Sequence, residues 1–141
     1  IICAGGPVFN KSEIKLFNDL NLLTRIHRYV VTDEVLAWLY KKALAFVFPS
    51  LYEGFGIPVL EAFSCGCAAI LSNTSSLTEI GVDAAFYFEP DCEDSIAQAV
   101  RKVIYDKELR AELKTRGFRQ AENFSWSKTA SETEALYKTV V

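Results

Sequence analysis

The chain of 141 residues contains no methionine and a single histidine, His27. Any Ser-His or His-metal chemistry would therefore rest on one side chain. Its neighbours Arg25, Ile26 and Arg28 place it in a strand, where a structural role is expected. The missing methionine and the opening Ile1-Ile2-Cys3-Ala4, which reads like the inside of a buried strand, lead us to expect a piece of a longer protein. There is no basic excess either. Fifteen basic against 18 acidic residues give a net charge of −3, so no broad basic surface attracts nucleic acid or anionic lipid. No apolar run approaches the ~20 residues needed to cross a bilayer, and the first residues do not read as a secretory signal. The four cysteines, Cys3, Cys65, Cys67 and Cys92, follow no zinc or redox spacing, and Cys65-Gly66-Cys67 is too tight for an ordinary tetrahedral pair. Buried, reduced thiols are the expectation.

What is present is an ordinary globular mixture, half apolar and 23% charged, in a length that suits one domain with a real core. Short apolar runs alternate with helical patterns. Strands are predicted at Ile1 to Ala4, Ile26 to Val31, Ala45 to Phe48, Ala68 to Ser72 and Ala85 to Phe88. Helices are predicted at Ser12 to Leu22 (with Ile14, Phe17 and Leu20 on one face), after the N-cap candidates Thr32 and Asp33, and at Pro58 to Cys65. Further helices follow at Ser76 to Ile80, Glu93 to Tyr105, Lys107 to Phe118 and Ser127 to Val140. Strands alternating with helices, and nearly all apolar throughout, imply an α/β fold: a Rossmann-like, doubly wound parallel sheet of about five strands covered on both faces. Ligands of such sheets bind at the carboxyl ends of the strands.

The stretch Glu53-Gly54-Phe55-Gly56-Ile57-Pro58-Val59-Leu60-Glu61 falls at that edge. Gly54 and Gly56 can take positive φ and let a ligand approach the main chain. Pro58 suits the first helical position, which would leave the amides of Val59, Leu60 and Glu61 at a helix mouth that favours phosphate. Carboxylates accept hydrogen bonds and suit sugar hydroxyls, each such bond being worth roughly 1.5–3 kcal/mol. On the residues alone two readings stand. One is a ligand with a diphosphate in the middle and a hydroxyl-rich group at each end, the layout of a nucleotide-sugar. The other is a plain glycine-rich turn with two solvated acids.

The run Phe48-Pro49-Ser50-Leu51-Tyr52-Glu53-Gly54-Phe55-Gly56-Ile57-Pro58-Val59-Leu60-Glu61-Ala62 strongly resembles the E-x7-E signature of retaining glycosyltransferases of the GT-B fold, family 4 (glycosyl transferases group 1). Val31 to Leu36, Gly66 with the strand after it, the Ser76-Leu77-Thr78-Glu79 turn and Phe124-Ser125-Trp126 also match that family's usual order, so the likeness covers essentially the whole chain. The resemblance implies that residues 1–141 are the C-terminal, nucleotide-sugar-binding half of a GT-B enzyme. It implies that Glu53, the catalytic candidate, meets the donor hexose and Glu61 grips the ribose diol. The backbone of Gly54, Phe55, Gly56 and Ile57 would approach the hexose, and the amides of Val59 and Leu60 would hold the diphosphate. Gly5 and Gly6 would form a turn close to the phosphates, while Tyr29 and Val30 would lodge the base. Glu79 is read as helix structure first, and Phe124 and Trp126 as packing for the last helix.

No cofactor and no metal is implied, only a UDP- or GDP-sugar as donor substrate. The partners implied are that donor and a glycan or lipid-linked acceptor held by an N-terminal domain outside this sequence. The location implied is cytoplasmic, and the resemblance also admits a parent peripheral at the inner face of a membrane. The family's arginine and lysine pair, which neutralises the leaving diphosphate, has no counterpart before Ile1, and Arg25 and Arg28 lie on the wrong segment for it. A fragment alone is expected to bind donor weakly and transfer nothing. Two alternatives remain open: a non-catalytic nucleotide-sugar-binding regulatory module, and a sugar-nucleotide epimerase on the same fold.

Overall fold

The computed structural model describes residues 1–140, which divide between Leu39 and Tyr40 into two compact units. In the first unit β1 (Ile2–Ala4) pairs in parallel with β2 (His27–Tyr29), in the register Ile2 to His27, Cys3 to Arg28 and Ala4 to Tyr29. Between them runs α1 (Lys11–Asp19). Its start is a capping box. The Asn10 side chain accepts from the amides of Ser12 and Glu13, and the Glu13 carboxylate accepts from the Asn10 amide at 2.6 Å.

The helix stops three residues short of the predicted Leu22, and the reason is local. Asn21 adopts a left-handed φ of 55° just past the C-cap Leu20. The amides of Asn21 and Leu22 then turn back to the carbonyls of Asn18 and Phe17 at 2.9 and 2.7 Å. This Schellman closure satisfies the terminal carbonyls and ends the helix, whatever the apolar pattern beyond it. Of the predicted face only Phe17 is half-buried, and Ile14 and Leu20 are exposed.

The chain continues through α2 (Asp33–Lys42). In the second unit β3 (Phe46–Phe48), β4 (Ala69–Ser72) and β5 (Ala85–Phe88) form a parallel ladder in that order. The connections carry α3 (Ile57–Ser64) and α4 (Ser75–Gly81), and α5 (Glu93–Tyr105), α6 (Lys107–Ala121) and α7 (Trp126–Val140) follow. Every residue of β4 is buried. The strand feeds two cores by simple alternation. Ala69 and Leu71 pack with Val59, Phe63, Leu77 and Ile80 of α3 and α4. Ile70 packs with Ala99, Val103 and Leu113 of α5 and α6. This ladder is covered on both faces, as the unbroken apolar runs predict.

Burial decides the thiol chemistry differently from the expectation. All four cysteines are free, but only Cys67 is buried, while Cys3 and Cys65 are intermediate and Cys92 is exposed. Cys92 sits at the N-cap of α5, on a helix start that faces solvent. Trp126 likewise corrects the reading as a packing residue, for 79% of it is exposed.

Candidate functional site at the carboxyl edge of the parallel ladder

Parallel strands end on one edge, and the β3–α3 and β4–α4 connections meet there. Glu53 lies in the first of these and is half-buried. Its carboxylate oxygen Oε1 accepts a hydrogen bond from Ser50 Oγ at 2.7 Å. Its amide donates to Ser75 Oγ at 3.1 Å, and its carbonyl accepts from Ser76 Oγ at 2.9 Å. Thr74 Oγ1 donates to the Ser50 carbonyl at 3.3 Å and Ser72 Oγ to the Phe48 carbonyl at 3.4 Å. Hydroxyls from the second loop thus stitch the first one down along its length. Oε2 of Glu53 takes no bond from any described residue, which leaves it able to accept one from a ligand hydroxyl.

The loop ends at Gly56, the N-cap of α3, with φ 111° and ψ 40°. Only glycine takes that conformation without strain, and a Cβ there would lie 3.3 Å from Leu77 Cδ2. Pro58 is therefore the second helical residue, not the first, and the register of the helix mouth moves by one. The amide of Val59 is closed against the Gly56 carbonyl at 2.9 Å. Val59 is fully buried, and Glu61 is the fifth helical residue, past the four N–H groups that lack an intrahelical partner. The expectation that Val59 and Glu61 present free amides is corrected accordingly. Leu60 packs on the core as a partly buried side chain. The amides of Gly54, Phe55, Gly56 and Ile57 donate to no described residue, so the donors of this edge lie one turn earlier than predicted.

Phe55 is anchored by its ring, which meets Phe124 edge to face at a centroid distance of 5.9 Å. Phe124 itself packs on the core formed by β4, α3 and α4. Glu61 is exposed on α3. Beside it is the phenol of Tyr40, whose pKa is pushed up, first by burial and then by the Glu61 carboxylate. Glu79 is exposed on α4.

In the first unit Gly5 and Gly6 have φ of 79° and 71° and form the turn that leaves β1. The Gly5 amide donates to the Tyr29 carbonyl at 2.8 Å, so that carbonyl is engaged. Arg28 reaches the Gly6 carbonyl through Nε at 3.0 Å and also through Nη2. Its guanidinium is a strut for the glycine turn. Tyr29 is half exposed, stacked on His27 with centroids 6.3 Å apart, and Val30 is exposed.

Sequence reasoning missed Ser50, Thr74 and Ser75. The run Ser72-Asn73-Thr74-Ser75-Ser76 after an apolar strand announces a hydroxyl-rich turn. It does not announce that the hydroxyls reach a loop more than 20 residues back.

The family model for glycosyl transferases group 1 matches residues 1–120. O-antigen chain mannosyltransferase B of Escherichia coli is 42% identical over 108 residues, which are 77% of this chain and 28% of that protein. MMP alpha-(1->4)-mannosyltransferase of Mycolicibacterium hassiacum is 33% identical over 133 residues, 90% of this chain and 32% of the relative. The chain thus spans about a third or less of these relatives. Among solved structures, sucrose-phosphate synthase from Thermosynechococcus elongatus superposes with a TM-score of 0.84 at 25% identity, over 99% of this chain and 38% of that one. The C-terminal domain of a glycosyl transferase group 1 family protein from Francisella tularensis gives a TM-score of 0.70 at 26% identity, over 80% of this chain and 60% of that one. The architecture is the Rossmann-like C-terminal half of a GT-B fold, and the chain belongs to the family of glycosyl transferases group 1.

Proposed function

We propose that residues 1–141 are the donor-binding half of a retaining family 4 glycosyltransferase. The parent enzyme moves a hexose from a UDP- or GDP-sugar to a hydroxyl of a growing glycan or lipid-linked acceptor. The acceptor is held by a domain outside these residues, a reading supported by the fraction of the relatives that the chain spans. Mannose is the favoured hexose, because several relatives are named mannosyltransferases.

One observation carries this reading. At the carboxyl edge of a parallel ladder, a fixed carboxylate with one unengaged oxygen stands directly before four unpaired amides. Glu53 accepts from a hexose hydroxyl near the reacting carbon, and Glu61, farther along α3, accepts from the ribose diol. The amides of Gly54 to Ile57 and the dipole of α3 meet the diphosphate end of the ligand. In the transfer step the acceptor oxygen bonds to the anomeric carbon as the bond to the leaving phosphate oxygen breaks. The acceptor proton passes to the departing diphosphate, on the same face, so configuration is retained. Glu53 positions and stabilises the sugar throughout. The proposed location is cytoplasmic, peripheral to the inner face of a membrane. No helix among the described residues is long and apolar enough to cross one.

The test is calorimetric titration of the chain with GDP, UDP and ADP, followed by Glu61→Ala. Losing a charge-assisted bond to the ribose lowers nucleotide affinity roughly tenfold or more. Unchanged affinity refutes the ribose assignment. Incubating the longer enzyme with donor, with and without acceptor, separates transfer from epimerisation, since an epimerase releases altered sugar without any acceptor.

A further inference from the structure

We propose that Ser50 and Ser75 are positioning residues for Glu53, together fixing its carboxylate and its backbone for the donor sugar. The proposal rests on the reading of Glu53 given above. Glu53 is a half-buried loop residue between exposed Tyr52 and Gly54. Glu53 is nonetheless gripped at its carboxylate, its amide and its carbonyl. The Ser50 bond engages Oε1 and so fixes the rotation of the carboxylate, leaving Oε2 as the defined acceptor. The Ser75 bond fixes the peptide from which that side chain springs.

Ser75 provides the second, independent observation. Its φ is 45°, and among the described residues only Asn21 and Val82 are other non-glycine residues in that half of backbone space. A left-handed residue with a Cβ is strained, and such strain persists where the surroundings over-determine it. Glycine would sit there at lower cost. What serine adds is Oγ, and that atom receives the Glu53 amide. The strained backbone is the geometry in which this hydroxyl reaches across 22 residues of chain to the site. Transfer depends on such orientation, because small misplacements of a group at the reacting centre are costly in rate.

The experiment uses the longer enzyme carrying this sequence, with Ser75→Gly, Ser50→Ala, Ser50→Thr and Glu53→Gln, measuring kcat, donor KM and melting temperature. Ser75→Gly is expected to melt at or above the wild-type temperature while kcat falls roughly tenfold, the worth of one such bond. Ser50→Ala is expected to behave alike in kcat, and Ser50→Thr, which keeps the hydroxyl, to restore it. Donor KM stays within about threefold throughout, because the diphosphate contacts are untouched. The proposal is overturned if Ser75→Gly and Ser50→Ala keep kcat within twofold of wild type while Glu53→Gln loses activity. It is overturned as well if donor KM rises in step with the fall in kcat, the mark of a generally loosened site. A fully active Glu53→Gln sinks the reading of Glu53 itself, a separate outcome. Should Ser50→Ala fail to fold, Ser75→Gly decides alone.

Discussion

Gly117 offers a test of how α3, the helix that carries Glu61 and is capped by Gly56, is held in place. A methyl added at Gly117 in α6 would lie 2.7 Å from Cδ1 of Phe63, 3.2 Å from Cγ and 3.3 Å from Cε1. Carbon atoms prefer roughly 3.5–4.0 Å, so the ring must move. Phe63 is fully buried and has nowhere to swing. Overpacking of this kind costs about 1–3 kcal/mol. Alanine in place of glycine inside a helix returns about 0.8–1.0 kcal/mol through propensity. The two terms partly cancel, so Gly117→Ala alone is expected to lose only ~0–2 kcal/mol.

A double-mutant cycle removes that ambiguity. Phe63→Leu opens a space where the new methyl would go, and the propensity gain is the same in both backgrounds and drops out. The cycle is expected to show a coupling of about 1–2 kcal/mol, with Gly117→Ala neutral or stabilising once Phe63 is leucine. Urea unfolding of the 141-residue chain, followed by far-UV circular dichroism, reads this as shifts of the midpoint at constant slope. With a slope of roughly 2 kcal/mol/M each kcal/mol moves the midpoint by about 0.5 M. A coupling within ~0.5 kcal/mol of zero would show that α6 does not approach α3 at this glycine, and that Gly117 is there for another reason.

Two further expectations follow from the titration of a buried thiol and from the strut in the first unit. Burial pushes the Cys67 thiol up to about 11, against an ordinary value of 9.0 that applies when the chain is unfolded. Between those values the unfolded chain has released the proton and the folded chain retains it, so stability falls as pH rises from 9 towards 11, by about 1.4 kcal/mol at pH 10. Unfolding midpoints between pH 8 and 10 should fall in the wild type and fall less in Cys67→Ala, and identical slopes would refute the assignment. Tyr87, pushed up to about 12 chiefly by burial, adds a loss of the same sign only above pH 10. Arg28→Ala frees the Gly6 carbonyl, and hydrogen exchange should accelerate at Gly5, Gly6 and Val8 with the β3–β4–β5 ladder unchanged. Unaltered exchange at the turn would remove the strut role.

The sequence was most legible where local signals are also the ones the fold obeys. β5 at Ala85 to Phe88 and α5 at Glu93 to Tyr105 lie where periodicity and the intervening Pro90 put them. Errors arose where one residue's conformation overrides a pattern. The apolar period runs on to Leu22, but Asn21 turns left-handed and closes α1 at Asp19. Pro58 fits the first turn of a helix at more than one position, and taking it as the first moved the helix mouth forward by one residue. The two glutamates stood out as acids bracketing a glycine loop, but a plain turn fitted the residues equally well, and their roles came from the resemblance to the glycosyltransferase signature. The hydroxyls that hold Glu53 were invisible in that role, because serines in a turn are common, and the two that hold its backbone, Ser75 and Ser76, lie 22 and 23 residues away. This difference has a physical origin. The groups that touch a ligand must be adjacent to one another, and a single loop and helix mouth can supply them within nine residues. The groups that restrain such a loop come partly from within it, as Ser50 does for the Glu53 carboxylate, and partly from a different segment, as Ser75 and Ser76 do for its backbone. Composition at a site is therefore readable along the sequence, whereas its rigidity is written across it, in bonds such as that between Glu53 and Ser75.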